Sequence, residues 1–174
     1  MSFDAYVFDF DGTLADSFTA ITSTINYVRG LRGYPPLALA AVKCHVGLGA
    51  ENLLEQTVPG TDIAIDLPRY REHHPTVMFD QTWLLPGALE TLTTLRKRGR
   101  KVALCSNKPR IFTDRLLDRL DITPFFDAVL GPEDVPHPKP APDMLLAALR
   151  RLELAANRVL YIGDMTVDIQ TARS

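Results

Sequence analysis

Three features of the sequence predict an α/β fold built on a parallel sheet. From residue 84 onward, short apolar runs alternate with amphipathic segments, the order in which helices come to cover both faces of a parallel sheet. A further apolar run near the N-terminus, over 4–8, has no partner in its own neighbourhood and must join the same sheet. Between the two lies a stretch, 16–80, of helical patterns and breaks without a convincing strand, which marks an insertion between the first two strands of the sheet.

The elements are justified in chain order. Asp4-Ala5-Tyr6-Val7-Phe8 is too short for a helix and rich in aromatic and β-branched residues, so it reads as a buried strand. It runs into Asp9-Phe10-Asp11-Gly12. Alternation along the strand sends Asp9 and Asp11 to the same side, and Gly12 admits a turn that other residues resist. Asp16 or Ser17 is placed to cap a helix whose apolar face is Ile21, Ile25 and Val28, and Gly30, Gly33 and Pro35-Pro36 end it. A short helix over 37–43 is closed by Gly47-Leu48-Gly49. Helical spacing returns over 50–57, with Leu53 and Leu54 inward, until Pro59-Gly60, and a fourth helix is expected over 67–78 with Pro75 near its end.

Past residue 84 the segment 88–98 carries Leu89, Leu92 and Leu95 as an apolar stripe. Lys97-Arg98 suits the last turn of that helix and Gly99 terminates it. Lys101-Val102-Ala103-Leu104-Cys105 is a strand that opens into Ser106-Asn107-Lys108-Pro109. A helix over 112–120, a strand over 128–130, a proline-rich loop over 132–142 and a helix over 143–152 come next. Arg158-Val159-Leu160-Tyr161-Ile162 is the last strand, running into Gly163-Asp164, and a further helix begins near Thr166.

Composition narrows the function. With 174 residues, 46% hydrophobic and 23% charged, the chain is that of an ordinary globular protein. A net charge of -2 gives no broad field for nucleic acid or anionic lipid. The one basic tract, Arg96-Lys97-Arg98 with Arg100-Lys101, reads as a solvated helix end, so neither nucleic acid nor a membrane is expected as a partner. No basic segment followed by a long apolar run opens the sequence and no apolar stretch reaches the length of a membrane span, which predicts a cytoplasmic location. Cys44 and Cys105 form no Cys-x-x-Cys pattern and are expected as reduced, buried thiols.

In open parallel sheets ligands bind beyond the carboxyl ends of the strands. Asp9 and Asp11, Ser106 and Asn107, and Asp164 all fall at such ends. Each cluster has a bland reading beside a chemical one. Neighbouring carboxylates repel, and they share a metal ion, share a proton or lie exposed at a turn. Ser106-Asn107 is a plain turn, or a hydroxyl and a loop amide that bind an anion. Lys139 is a solvated loop lysine, or an ammonium presented from a backbone stiffened by Pro138 and Pro140. Asp164 is an N-cap, or one half of a second acidic pair with Asp168 one helical turn further on.

In this order and context the clusters resemble the four motifs of the haloacid dehalogenase superfamily. The first appears as Asp9-Phe10-Asp11-Gly12-Thr13, the second as Ser106, the third as Lys139 and the fourth as Gly163-Asp164-Met165-Thr166-Val167-Asp168. The resemblance covers nearly the whole chain and is greatest to the phosphoglycolate phosphatase group. It implies a Rossmann-like core over 1–15 and 81–174 with a helical cap over 16–80. It implies an Mg²⁺-dependent phosphatase acting on a small phosphorylated metabolite, phosphoglycolate-like, with Asp9 as the nucleophile that becomes an aspartyl-phosphate and Asp11 as acid and then base. The Asp9 carboxylate, the Asp11 backbone carbonyl and Asp164 would bind Mg²⁺, with Asp168 orienting the metal shell. Lys139 would hold Asp9 and the phosphate by charge, and Thr13, Ser106 and the Asn107 amide would bind phosphate oxygens.

Asp11 also separates phosphoryl chemistry from dehalogenation, because an ester leaving group needs a proton and a halide does not. Substrate choice is expected in the cap, where Lys43, His45 and the Gly47-Leu48-Gly49 turn are candidates. A sugar phosphomutase of the β-phosphoglucomutase kind shares the first motif and a similar cap and is the alternative; a non-catalytic binding or regulatory protein is a third reading. Family members normally continue past the position of Ser174 with at least one more core strand. The resemblance therefore implies a shortened core with the strand 158–162 as an uncovered sheet edge, and two readings stand: the sequence is a fragment, less stable than its relatives, or the edge closes by self-association.

Overall fold

The structure is a computed structural model that describes residues 3–174. It forms two compact units, one of Met1–Ala15 with Leu84–Ser174 and one of Asp16–Trp83. The chain begins with β1 (Ala5–Phe8) and the two-residue β2 (Ala15–Asp16), then enters the helices α1 (Phe18–Leu31), α2 (Leu39–Lys43), α3 (Gly49–Thr57) and α4 (Ile63–Val77). It returns through β3 (Trp83–Leu84) to α5 (Ala88–Lys97), β4 (Lys101–Cys105), α6 (Arg110–Arg119), β5 (Ala128–Leu130), α7 (Asp143–Leu152), β6 (Val159–Ile162) and α8 (Thr166–Arg173).

The first unit is the expected α/β fold. Its four strands are parallel in the order β5-β4-β1-β6, with Val7 of β1 opposite Ala103 of β4 on one side and Tyr161 of β6 on the other. Alternate residues Ala5 and Val7, Ala103 and Cys105, and Ala128 and Leu130 face one side and pack on Met144, Ala148 and Leu152 of α7. The residues between them, Val102 and Leu104, are also fully buried, as is Leu92 of α5. Burial on both faces is why β1 and β4 read as continuous apolar runs, whereas β6 is half-exposed along its length. The register brings Phe8, Leu104 and Ile162 level, so the loops after β1, β4 and β6 emerge at one end of the sheet. The Asp9 N–H donates to the Ile162 carbonyl at 2.9 Å and extends the ladder by one more residue.

The second unit is helical. Ile21, Ile25 and Val28 of α1 pack with Val42, Leu53, Leu54, Leu67 and Tyr70 around one apolar cluster. Asp66 of α4 is fully buried there, bound to Arg32 at 2.7 Å and accepting the Thr61 hydroxyl, also at 2.7 Å. Among the described residues, no helix is long and apolar enough to cross a membrane.

Several expectations need correction. β2 and β3 pair as a two-stranded sheet where the chain passes between the units, and two residues are too few to show a period. α4 starts four residues before the expected 67, because the Asp62 carboxylate accepts the Ala64 N–H at 3.0 Å and caps it there. Of the two capping candidates for α1, Asp16 fills the role, its carboxylate accepting the Phe18 N–H at 3.2 Å, and only Ser17 is corrected, since its side chain makes no cap. Leu89 does not belong to the buried stripe of α5, whose inward residues are Ala88, Leu92 and Leu95. Both cysteines are unpaired, but only Cys105 is buried, since α2 ends at the surface with Cys44 exposed.

The α5 correction makes a stability test. Leu92 is 0% exposed and Leu89 is 48% exposed. In urea unfolding Leu92→Ala is expected to cost about 2–5 kcal/mol, and Leu89→Ala less than about 0.5 kcal/mol.

Candidate active site

The end of β1 delivers two buried carboxylates, Asp9 5% and Asp11 8% exposed, to a site whose other edge carries the exposed Asp164. Gly12 then turns the chain at φ +86°. A Cβ on that glycine would lie 2.2 Å from Oδ2 of Asp164, so a side chain there would drive away the carboxylate that comes after β6. Gly163 has the same function toward Asp168, since a Cβ there would lie 2.3 Å from the Asp168 carboxyl carbon. Two glycines thus let two loops place acids next to the backbone.

Lys139 comes from the proline-rich loop and is brought in by Asn107. The Asn107 side-chain amide donates to the Lys139 carbonyl at 2.8 Å, and its oxygen accepts the Lys139 N–H at 3.0 Å. This two-point clamp fixes the lysine backbone against the end of β4. The Lys139 ammonium, 3% exposed as a residue, lies 2.9 Å from Oδ1 of Asp9, 2.7 Å from Oδ1 of Asp168 and 3.1 Å from the Tyr161 hydroxyl. Three acceptors therefore surround a group with three N–H bonds. Tyr161 in turn donates to Asp168 at 2.7 Å. The other Asp168 oxygen accepts the Met165 N–H at 3.1 Å and caps α8.

This burial governs the electrostatics. Desolvation pushes the Asp9 carboxyl up to about 6; Lys139 opposes that push, and Asp168 and Asp11 add to it. Burial would pull the Lys139 ammonium down, but Asp9 and Asp168 outweigh it and hold the group above its ordinary value. Burial also raises the Tyr161 hydroxyl, so it remains a donor. Asp9, Asp11, Asp164 and Asp168 bring four negative charges, and the Lys139 and Lys108 ammonium groups that pair with Asp9, Asp168 and Asp11 bring two. Carboxylate oxygens of Asp9, Asp164 and Asp168 lie within 4.8 Å of one another, a donor set that fits a hard divalent cation. Both Asp168 oxygens already accept hydrogen bonds, so Asp9 and Asp164 are the better ligands and Asp168 the better orienting group.

Asp9, Asp11, Thr13, Ser106, Asn107, Lys139, Asp164 and Asp168 all belong to the first unit. Thr13 donates its hydroxyl to Asp164 at 3.1 Å, and the Ser106 hydroxyl accepts the Lys108 N–H at 3.2 Å. Asp164 is not the cap of α8: it precedes the helix, and Asp168 does the capping from its first turn. Lys43 and His45 lie in the second unit, where the Lys43 ammonium is 4.1 Å from the centre of the Phe18 ring. Sequence reasoning misses two polar residues of the site. Lys108 pairs with Asp11 at 3.2 Å, and a lysine directly after a strand-end Ser-Asn pair is its only signal. Tyr161, inside an apolar strand, gives none beyond its hydroxyl.

Comparison with known proteins gives one family. Residues 6–174 match the family described as haloacid dehalogenase-like hydrolase. The phosphoglycolate phosphatase of Pseudomonas putida is 32% identical over 97% of this chain, which spans 65% of that protein. The phosphoglycolate phosphatase of Escherichia coli K12 is 29% identical over 96% of the chain and 76% of the relative. A haloacid dehalogenase-like hydrolase structure from Bacteroides fragilis superposes with a TM-score of 0.93 at 35% identity, covering 99% of this chain and 83% of that one.

The burial of Asp9 has a stability consequence. Its folded value of about 6 lies above the ordinary 3.8, so between the two the folded chain holds a proton that the unfolded chain has lost. Stability therefore falls as pH rises through that window, and above it the full cost, on the order of 3 kcal/mol, is present. In chelator, Asp9→Asn is expected to be more stable than the parent near pH 8, by up to about 3 kcal/mol. Urea titrations from about pH 8 to pH 4 should show that advantage shrinking away as Asp9 protonates in both states.

Proposed function

The chain belongs to the haloacid dehalogenase-like hydrolases, and from that membership we propose that it is an Mg²⁺-dependent phosphatase that hydrolyses a small phosphate monoester through a phosphorylated Asp9. The observation that carries the reading is the buried Asp9 carboxylate, held 2.9 Å from the Lys139 ammonium, with Asp11 buried two residues away. A nucleophile needs an orienting charge, and a monoester needs a proton for its leaving oxygen. This pair of carboxylates can supply the attack and the proton separately.

In the first step an Asp9 oxygen bonds to phosphorus as the ester P–O bond breaks, and Asp11 gives its proton to the departing alcohol. In the second, water bonds to phosphorus, Asp11 takes the water proton, and the bond to Asp9 breaks to release phosphate. Lys139 holds Asp9 in line throughout. Ser106 and the loop amide at Asn107 bind phosphoryl oxygens, and Thr13 keeps Asp164 in place. Mg²⁺, bound by Asp9, Asp164 and the Asp11 carbonyl, would neutralise the crowded acids and polarise the phosphoryl group.

The presence of Asp11 supports a phosphate ester rather than a halide as substrate. Relatives at about 30% identity that are phosphoglycolate phosphatases make phosphoglycolate the first candidate. Lys43 and His45 are the cap residues proposed to meet a substrate carboxylate.

The test is phosphate release from p-nitrophenyl phosphate, with Mg²⁺ and with chelator. Release is expected to need the metal and to vanish in Asp9→Asn. Asp11→Asn is expected to leave a slowly formed, trappable aspartyl-phosphate. Full activity in Asp9→Asn would refute the assignment. A panel led by phosphoglycolate then ranks substrates, and an isomerised sugar phosphate without phosphate release would replace the phosphatase with a mutase.

A further inference from the structure

Lys139 is engaged by other groups. Its ammonium lies 2.9 Å from Asp9, 2.7 Å from Asp168 and 3.1 Å from the Tyr161 hydroxyl. Asp11 has a cation of its own. Lys108 lies in the loop between β4 and α6, and its ammonium is 3.2 Å from Oδ2 of Asp11. The lysine side chain is 4% exposed and that of Asp11 is 12% exposed, so water screens the pair little. The backbone that carries it is pinned on both sides of the residue: the Lys108 N–H donates to the Ser106 hydroxyl, and its carbonyl accepts the Thr113 hydroxyl at 3.3 Å. A lysine with a fixed root and a buried head has few other places to point.

We infer that Lys108 is the positioning residue of the acid–base carboxyl, holding Asp11 where it hands a proton to the leaving oxygen and later takes one from water. The inference rests on the phosphatase reading of Asp11. When the ester P–O bond breaks, the proton moves from Asp11 to the alcohol oxygen and Asp11 is left as a carboxylate. That carboxylate would face the Lys108 ammonium, which lies 3.2 Å from Oδ2 of Asp11. Lys108 stabilises it as it forms and keeps it aimed until water delivers the next proton.

Leaving groups read this role out. Nitrophenolate departs without a proton, whereas an alkoxide does not. The ratio kcat/KM stops at phosphorylation of Asp9, and kcat also contains the water step. Lys108→Met, Lys108→Arg and the parent would be compared on ethyl phosphate and p-nitrophenyl phosphate, with acid-quenched phosphoenzyme counted for each. For Lys108→Met, kcat/KM on ethyl phosphate is expected to fall on the order of 100-fold, at least tenfold more than on p-nitrophenyl phosphate. On the aryl ester phosphoenzyme should accumulate, Lys108→Arg should recover part of the loss, and Lys108→Met with Asp11→Asn should be no worse than Asp11→Asn alone.

Equal losses on the two esters without phosphoenzyme accumulation, in a parent that is active and dead as Asp9→Asn, would overturn the inference and leave the phosphatase standing. A folded parent that releases phosphate from neither ester would overturn the phosphatase reading and the inference together.

Discussion

Asp9 is buried in surroundings that favour its protonation, and what opposes them is the Lys139 ammonium at 2.9 Å. Remove that one contact and burial, Asp168 and Asp11 all favour protonation. The contact is in turn the product of several others. Asn107 clamps the lysine backbone, Asp168 and Tyr161 hold the ammonium from the far side, and the capping of α8 holds Asp168. The parts come from the end of β1, the loop after β4, the proline-rich loop after β5, β6 itself and α8, so the register of the sheet together with these loops sets the distances within the site.

The site is overcharged with acid even so. Two ammonium groups against four carboxylates leave an excess of negative charge, an environment that fits a divalent cation. Gly12 and Gly163 make the crowding possible, because a Cβ at either would push an acid out of range. The chain accepts a costly arrangement here, and apolar packing on both faces of the sheet supplies the stability that offsets it.

Much of this is legible in the sequence, for identifiable reasons. Strands buried on both faces show as apolar runs, and the polar residues directly after them stand out. Asp9, Asp11, Ser106 and Asn107 are visible on that ground, and Asp164 after β6, a half-exposed strand that still reads as an apolar run. Lys139 becomes interpretable only through the order of the motifs, since nothing local separates a buried loop lysine from a solvated one. Lys108 and Tyr161 escape notice for opposite reasons. The lysine sits in a loop that Ser106 and Asn107 already account for, and the tyrosine sits in a strand where its ring explains its presence. Leu89 shows the limit of periodicity: a leucine one position from Ala88 fits a helical stripe on paper, while the helix turns it outward. Asp168 reads from sequence only as a partner of Asp164, because a capping carboxylate three residues into a helix looks like any other acid.

The two cysteines differ in a way that has a practical use. Burial pushes the Cys105 thiol up to about 12 and its sulfur donates to the Met144 carbonyl, so at neutral pH it is a closed apolar group under the sheet. Cys44 is exposed at the end of α2. A maleimide dye or spin label added to the unaltered protein would thus attach at one address, in the helical unit, and report on that unit without touching the carboxylates of the other.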